Sequence, residues 1–378
     1  MDFHFTEEQR ILRKTARDFL EANCSASFVL EMEKDEKGYK EDLWLKMSEL
    51  GWMGLIIPEE YDGVGGNLLD LVVMFEEMGR VCLPGPFFST IALGALSIME
   101  SADDGLKSEF LPAISRGELK LTMAHEEPDF TRYDPYSVGL KAIKKGDAFL
   151  LSGTKMFVPD AHVADSIICV ARTDGQPPAR YGLSLFIVDA GSKGLNLRPL
   201  KTMAGDKQFE VSFNDVRVSK GALLGRLDRG SDLLDSILRK AVVCKCAEML
   251  GGAQKVLEMA SGYAKEREQF GKPIGSFQAV QHHCANMLID IEGSRYLIYK
   301  VAWLLSQGIP AVMETAACKS WVSEAFKKVV SLGHQVQGAT AYMIEHDMPL
   351  YSRRARIAEM SLGDGRYHRT VVASQLGL

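Results

Sequence analysis

The chain has 378 residues, enough for two or three domains with sizeable cores. Its 46% hydrophobic and 25% charged fractions exclude a largely disordered chain, a collagen-like repeat and a disulfide-packed miniprotein. Lys and Arg total 44 against 50 Asp and Glu, and the net charge of −6 gives no overall electrostatic footprint for nucleic acid.

The seven cysteines are an odd count, mostly set in apolar stretches, which suits free thiols in a reducing compartment. Only Cys244 and Cys246 are close, and no second Cys/His pair at zinc spacing accompanies them, so no metal is expected. The first residues carry neither a continuous apolar core nor a small-residue cleavage site. No apolar run approaches the roughly 18 residues that a spanning helix needs. The expected location is therefore cytoplasmic, without a membrane span.

From Thr6 to about Arg116 the pattern is helical. Thr6 reads as an N-cap followed by the first-turn acids Glu7 and Glu8. Leu12, Ala16, Phe19 and Leu20 then recur at helical spacing. Breaks fall at Pro58, at Asp62-Gly63-Val64-Gly65-Gly66 and at Pro84-Gly85-Pro86. Between about Leu119 and Leu224 the texture changes to short β-rich runs: 149–151, 155–158, 166–170, 183–188 and 209–218. No helix-length segment separates them, which predicts an antiparallel β domain. No G-x-G-x-x-G follows a strand, so a Rossmann site is not expected.

From about Gly230 long helices return. Ala247, Leu250, Ala253, Leu257, Ala260 and Ala264 form one apolar stripe. A second runs from Val280 through Cys284, Met287, Ile291, Ile298 and Val301 to Leu305, and a third helix carries Val322, Phe326 and Val329. Such stripes predict a helix bundle. Gly251-Gly252 inside the first helix costs about 1 kcal/mol per glycine relative to alanine, so a packing reason is expected. The predicted domains are 1–117, 118–226 and 227–378.

One segment makes this α, β, α order specific. Arg267-Glu268-Gln269-Phe270-Gly271-Lys272-Pro273-Ile274-Gly275-Ser276-Phe277-Gln278-Ala279-Val280-Gln281 resembles the R-x-x-F-G-x-x-I-x-x-F-Q-x-x-Q signature of the acyl-CoA dehydrogenase family. Pro58-Glu59-Glu60-Tyr61-Asp62-Gly63 is similar to that family's P-E-x-Y-G-G loop, with Asp62 in place of the first glycine. Glu76-Glu77-Met78-Gly79-Arg80 is similar to its E-E-[LM]-G-R helix, and Gly153-Thr154-Lys155 to its G-x-K strand. The resemblance covers essentially the whole chain. It implies an α+β fold of an N-terminal all-α domain, a middle antiparallel β domain and a C-terminal four-helix bundle.

The resemblance also implies an FAD enzyme that oxidises an acyl-CoA between Cα and Cβ, working with an electron-transferring flavoprotein. A buried carboxylate takes the Cα proton, and the flavin takes the hydride. Arg267 is expected at the FAD diphosphate of a neighbouring subunit, with Phe270 against the cofactor and Gln278 and Gln281 as polar partners. Read by themselves these would be a surface arginine and a core phenylalanine.

Several positions depart from the family. Its Q-x-x-G-G-x-G element reads Gln335-Val336-Gln337-Gly338-Ala339-Thr340-Ala341, with two glycines replaced by alanine. Gln335 and Gly338 remain the expected contacts there, and the added Cβ atoms are expected to weaken the adenosine end. The T-E-P-G-x-G-S-D stretch reads Glu126-Glu127-Pro128-Asp129-Phe130-Thr131-Arg132-Tyr133-Asp134, so a hydroxyl donor becomes Glu126. The W-I-T-N stretch reads Phe157-Val158-Pro159-Asp160. Pro159 has neither the hydroxyl that would reach flavin N5 nor an N–H, while Phe157 and Val158 keep the ring-facing positions.

The catalytic base is the largest departure. Family spacing places it on Leu362, and the family's alternative site falls on Ala241. Two carboxylates remain as candidates. Glu248 lies two helical turns after Ala241 on an apolar face, and reads either as a buried base or as a structural glutamate. Asp364, in a Gly-Asp-Gly loop, reads as a base or as a turn aspartate. Arg353-Arg354-Ala355-Arg356, with Arg366, His368 and Arg369, is a basic cluster that reads as an interface face or a CoA phosphate contact. His282 and His283 are adjacent and point apart on a helix, so they do not form a metal pair.

A family frame without its base resembles one subunit of the α2β2 members, whose chains divide cofactor and base between them. The expected assembly is a homo- or heterotetramer with a second acyl-CoA dehydrogenase-like subunit. The alternatives are a homotetramer using Glu248 or Asp364 on an unusual acyl-CoA, and a non-redox structural or acyl-CoA-binding subunit.

Overall fold

The computed structural model describes residues 5–128 and 132–378. They form two compact units. The first joins residues up to 30, residues 68–83 and residues 242–378. The second joins residues 31–67 and 84–241.

The first unit is helical. It opens with α1 (Glu7–Asn23), whose N-cap is a reciprocal box: Gln9 N donates to Thr6 Oγ1 and Thr6 N donates to Gln9 Oε1, each at 3.2 Å. Helices α2 (Ala26–Lys34) and α3 (Glu41–Glu49) follow; α2 straddles the division between the units and α3 lies in the second. The chain returns to the first unit in α4 (Leu68–Arg80). Two glycine contacts bring α4 against the later bundle helix α7 (Gly230–Glu266). A Cβ on Gly251 would lie 1.8 Å from Glu76 O, and one on Gly79 would lie 1.9 Å from Glu248 O. This close backbone approach is the packing reason for Gly251. At Gly252 the space is taken by the Phe326 ring, 2.7 Å from where a Cβ would be.

The E-E-M-G-R run of α4 is a buried charge centre. Glu76 accepts from Arg13 at 2.8 Å, from Tyr299 at 2.5 Å and from Arg295. Glu77 accepts from Arg13 at 3.0 Å and from Arg17 at 2.8 Å. Arg80 makes a two-pronged contact with Glu258, both bonds 2.8 Å. Removing Arg295, which is itself largely buried, from Glu76 would leave a buried carboxylate short of compensation, a loss of about 3–5 kcal/mol.

The second unit contains α5 (Leu96–Glu100), α6 (Asp104–Ser115) and a buried π-helical segment, Phe88–Ala95. Its strands are β1 (Leu121–Ala124), β2 (Lys141–Lys145), β3 (Ala148–Pro159), β4 (Ser166–Arg172), β5 (Leu183–Asp189), β6 (Leu195–Leu200), β7 (Gln208–Ser219) and β8 (Leu223–Leu224). They form one sheet in the order β6-β7-β3-β2-β4-β5-β8, with β1 beside β4. The pairing is antiparallel except that β1, and one step of β2, run parallel to β4. The runs 149–151 and 155–158 are one strand, not two. Its register against β7 shifts at Gly153, where φ is +149° and an added Cβ would lie 2.9 Å from the Leu140 side chain. Phe149, Phe186, Val211 and Phe213 fill the core between strands.

The remaining elements belong to the first unit. After α7 comes a hairpin of β9 (Glu268–Gln269) and β10 (Lys272–Pro273). Then follow α8 (Gln278–Ser306), α9 (Val312–Gln337), α10 (Met348–Met360) and α11 (Gly365–Gln375). The predicted stripe residues Ala247, Leu250, Ala253, Leu257, Ala260 and Ala264 are all buried. Among the described residues no helix is long and apolar enough to cross a membrane, and no cluster of three His, Cys, Asp or Glu is placed to hold a metal.

Candidate cofactor and acid–base site

The hairpin after α7 gathers four of the expected cofactor residues. Phe270 and Gly271 form its two-residue turn, both with positive φ (+56° and +76°). A phenylalanine in this region costs about 1–2 kcal/mol. Yet the Phe270 ring is 91% exposed, its centre 6.1 Å from that of the Phe277 ring, the two nearly perpendicular. Backbone strain and solvent exposure thus fall on one aromatic side chain.

Arg267 leads into the hairpin and is held through its backbone: its carbonyl accepts from Ile274 N at 2.8 Å. Its guanidinium is exposed and has no carboxylate partner among the described residues. Gln278 and Gln281 occupy the first turn of α8, both exposed, and Gln281 donates to Gly275 O at 3.0 Å. No side chain caps this helix end. An unpaired arginine beside uncapped helix N–H groups fits a diphosphate.

Gln335 and Gly338 lie at the far end of α9, exposed. Gly338 terminates the helix with φ +64°, a conformation suited to glycine. Of the two alanines beyond it, Ala339 is exposed and Ala341 is fully buried, and neither has positive φ. The expected conflict of a Cβ with a left-handed backbone therefore does not arise.

Phe157 and Val158 lie in the other unit, on the distorted end of β3. The register against β7 slips between Lys155 and Val158; Phe157 has φ +52° and is 55% exposed, while Val158 is buried. Beneath them, Lys155 is fully buried and donates to Glu127 at 2.7 Å and to His125 O at 2.9 Å. Glu127 also accepts from the N–H groups of Gly139 and Leu140. His125 is buried, and desolvation holds it down at about 4, hence neutral. Asp129, Phe130 and Thr131 of the altered glycine-rich stretch lie outside the described residues. The ring-facing side thus fits a flavin only in part: an aromatic platform is present, but Pro159 offers no donor.

The acid–base candidates belong to different elements. Glu248, on α7, is half-buried and accepts from Lys245 at 2.6 Å, one turn away. It is thus an ion-paired carboxylate and not an isolated one on an apolar wall. Asp364 is exposed and caps α11, accepting from Tyr367 N at 2.8 Å. Leu362, at the family's base position, has φ +58°, and Ala241 is fully buried. The C-terminal basic cluster is dispersed: Arg356 lies 3.7 Å from Glu359, Arg369 lies 3.7 Å from Glu324, and His368 is buried and pushed down to about 4.

Two charged side chains are not legible as site residues in the sequence. Lys319 is fully buried on α9, donates to the carbonyls of Ala358 and Glu359 at 2.9 and 2.8 Å, and is pushed down to about 8 by burial. Nothing in its local sequence marks it. Glu126 is visible in the sequence only as a replaced hydroxyl. The structure adds that burial raises its carboxyl to about 7.

Comparison with known proteins agrees with this frame. The family descriptions "Acyl-CoA dehydrogenase, N-terminal domain", "middle domain" and "C-terminal domain" match residues 6–118, 122–216 and 228–377. A probable acyl-CoA dehydrogenase of Bacillus subtilis, YngJ, is 30% identical, with both chains fully covered. The butyryl-CoA dehydrogenase of Megasphaera elsdenii superposes with a TM-score of 0.93 at 27% identity, over all of both chains. A chain of the ChsE4–ChsE5 complex of Mycobacterium tuberculosis superposes with a TM-score of 0.91 at 26% identity, over 100% of this chain and 99% of that one. The chain belongs to the acyl-CoA dehydrogenase family, a family of flavin-dependent oxidoreductases.

Proposed function

We propose that this chain is one subunit of a hetero-oligomeric, FAD-dependent acyl-CoA dehydrogenase. The observation that carries the reading is the hairpin: Arg267 without a carboxylate partner among the described residues, and Phe270 turned into solvent. A strained, exposed aromatic gains nothing for its own chain, but it can complete a cofactor site in a neighbour. When bound, FAD supplies the two-electron acceptor for the hydride leaving Cβ of an acyl-CoA, and an electron-transferring flavoprotein then takes the electrons onward.

In this reading Arg267 pairs with the diphosphate of a neighbour's cofactor, Gln278 and Gln281 donate to that cofactor from α8, and Gln335 and Gly338 bound its adenosine end. Separately, in the other unit, Phe157 and Val158 offer an apolar face to a flavin ring. The second subunit supplies the Cα base, because Glu248 is held by Lys245 and Asp364 by its cap. Glu248 is the remaining candidate within the chain. The ChsE4–ChsE5 relative is by its description a complex of two different subunits.

An assembly surface is available. Ile289, Tyr296 and Trp303 are exposed on α8 at seven-residue spacing, which places them on one stripe, and Trp321 of α9 is exposed nearby, 3.5 Å from the Gly293 Cβ position. This apolar face supports a tetramer. The test is to purify the chain alone and together with a second family chain from the same source. Little flavin on the isolated chain, and a yellow active complex with the second, is the expected result. A fully flavinylated, active homotetramer would overturn it.

A further inference from the structure

The β2–β3 hairpin and the stretch of β7 beside it leave one sheet face in water. Alternation sorts their side chains. Ala142 of β2, Phe149 and Leu151 of β3, and Val216 and Val218 of β7 are buried in the core between strands. Lys141, Ile143 and Lys145, with Leu150 and Arg217, therefore turn the other way. The registers set them in rows across the three strands: Lys145 with Ala148 and Ser219, Ile143 with Leu150 and Arg217, and Lys141 with Ser152. Lys144 stands at the end of the same hairpin, and Lys220 is tied to it by the bond from its N–H to Asp147 O at 3.0 Å.

Lys141, Lys144, Lys145, Arg217 and Lys220 are all exposed, and none has a carboxylate partner among the described residues. Two carboxylates lie among them: Asp147 in the hairpin turn, and Asp215, which accepts from Ser152 at 2.6 Å. Cations thus outnumber carboxylates on this face, while the chain as a whole carries −6. Stability does not explain the arrangement, because like charges gathered on one face repel.

We propose that this face docks the chain reversibly on an anionic lipid bilayer, with its cations at the headgroups and Ile143 at the acyl boundary. Ile143 is 52% exposed and sits between Lys141 and Lys145 on the outward side of β2. The apolar stems of the two lysines can lie beside it while their ammonium groups stay at the phosphates. Lysine, a flexible point charge, supplies all but one of the cations, which suits a fluid array of headgroups better than the fixed geometry of a single phosphate site. The aromatics beside the face, Phe149 and Phe213, point into the core. The face therefore lacks the stacking platform of a nucleic-acid binder and the aromatic anchor of a protein hot spot. Each cation near an anionic bilayer strengthens attachment about fivefold, and the attachment weakens steeply with salt.

The experiment sediments the full chain with vesicles of phosphatidylglycerol and phosphatidylcholine in equal parts, and with vesicles of phosphatidylcholine alone. Wild type should cosediment with the first and stay in solution with the second. Lys141→Gln/Lys145→Gln should weaken attachment about 25-fold. Lys34→Gln/Lys46→Gln, the same loss of charge at exposed positions on α2 and α3, should weaken it less than about twofold. Poly-glutamate added at equal anionic charge should leave most of the chain on the vesicles, since it has no apolar layer to receive Ile143.

Equal binding to both kinds of vesicle, an unchanged Lys141/Lys145 variant, or an equal loss in the Lys34/Lys46 variant each overturns the proposal. Complete release by poly-glutamate also overturns it, and would place an acidic polypeptide on this face instead. None of these outcomes bears on the subunit reading, which is decided by flavin content with and without the second chain.

Discussion

Gly251→Ala tests the helix contact on which the first unit is built. In an unconstrained helix the change stabilises by about 1 kcal/mol. Here the new Cβ would lie 1.8 Å from Glu76 O and 2.8 Å from Arg80 N, both backbone atoms that cannot rotate aside. A carbon and a carbonyl oxygen need about 3.3 Å, so α4 and α7 must separate by about 1.5 Å. That displacement also disturbs the bonds from Glu76 to Arg13, Arg295 and Tyr299. Overpacking alone costs about 1–3 kcal/mol, occasionally more, and a backbone clash of this depth belongs at the upper end. The expected net loss is about 2 kcal/mol or more.

Gly262→Ala is the matched control, because it lies in the same helix and its added Cβ meets nothing within 4 Å. It should stabilise by about 1 kcal/mol. The two variants should therefore differ by about 3 kcal/mol, or several degrees in thermal midpoint followed by circular dichroism. If Gly251→Ala melts at or above wild type, the close approach of the two backbones is refuted.

Arg267→Ala removes the charge-assisted contact proposed for the diphosphate. FAD affinity of the assembled complex should drop roughly 10- to 150-fold, the equivalent of about 1.5–3 kcal/mol, and unchanged retention on gel filtration would remove Arg267 from the site. Glu248→Gln should leave exchange of the substrate Cα proton with solvent intact in the assembled complex; loss of exchange with FAD still bound would move the base into this chain. His125 and His368 are both held near 4 in the fold by burial, below the ordinary histidine value. The unfolded chain thus takes up protons first as pH falls. The stability these groups allow is complete above about pH 6.5 and is lost as pH falls toward 4, by on the order of 3 kcal/mol per histidine. His125→Gln should make that loss shallower in urea titrations at successive pH values, and an unchanged slope would argue against a buried neutral His125.

Periodicity exposed the bundle well, because the stripe from Ala247 to Ala264 is a continuous buried face. Gly251-Gly252 announced a packing constraint, though its partner, α4, comes from a segment far earlier in the chain and could not be named. The β region was harder to read. A strand kinked at Gly153 looks like two, and β1, β2 and β6 lack the length or alternation that marks a strand in isolation. At the candidate site, residue identity showed what was missing, namely the base at Leu362 and the hydroxyl at Pro159. It did not show how the survivors are engaged. That Lys245 holds Glu248, that Asp364 caps α11, and that Glu126 is unpartnered among the described residues while Glu127 beside it is saturated all depend on tertiary neighbours.

The most direct measurement is the flavin-to-chain ratio at pH 8 of the purified chain alone and of its complex with a second family chain, read from flavin absorbance against protein mass. The shared-site account predicts little flavin on the isolated chain and stable, catalytically active flavin once the second chain is present. One tightly held flavin per chain in an active assembly of this chain alone would contradict it.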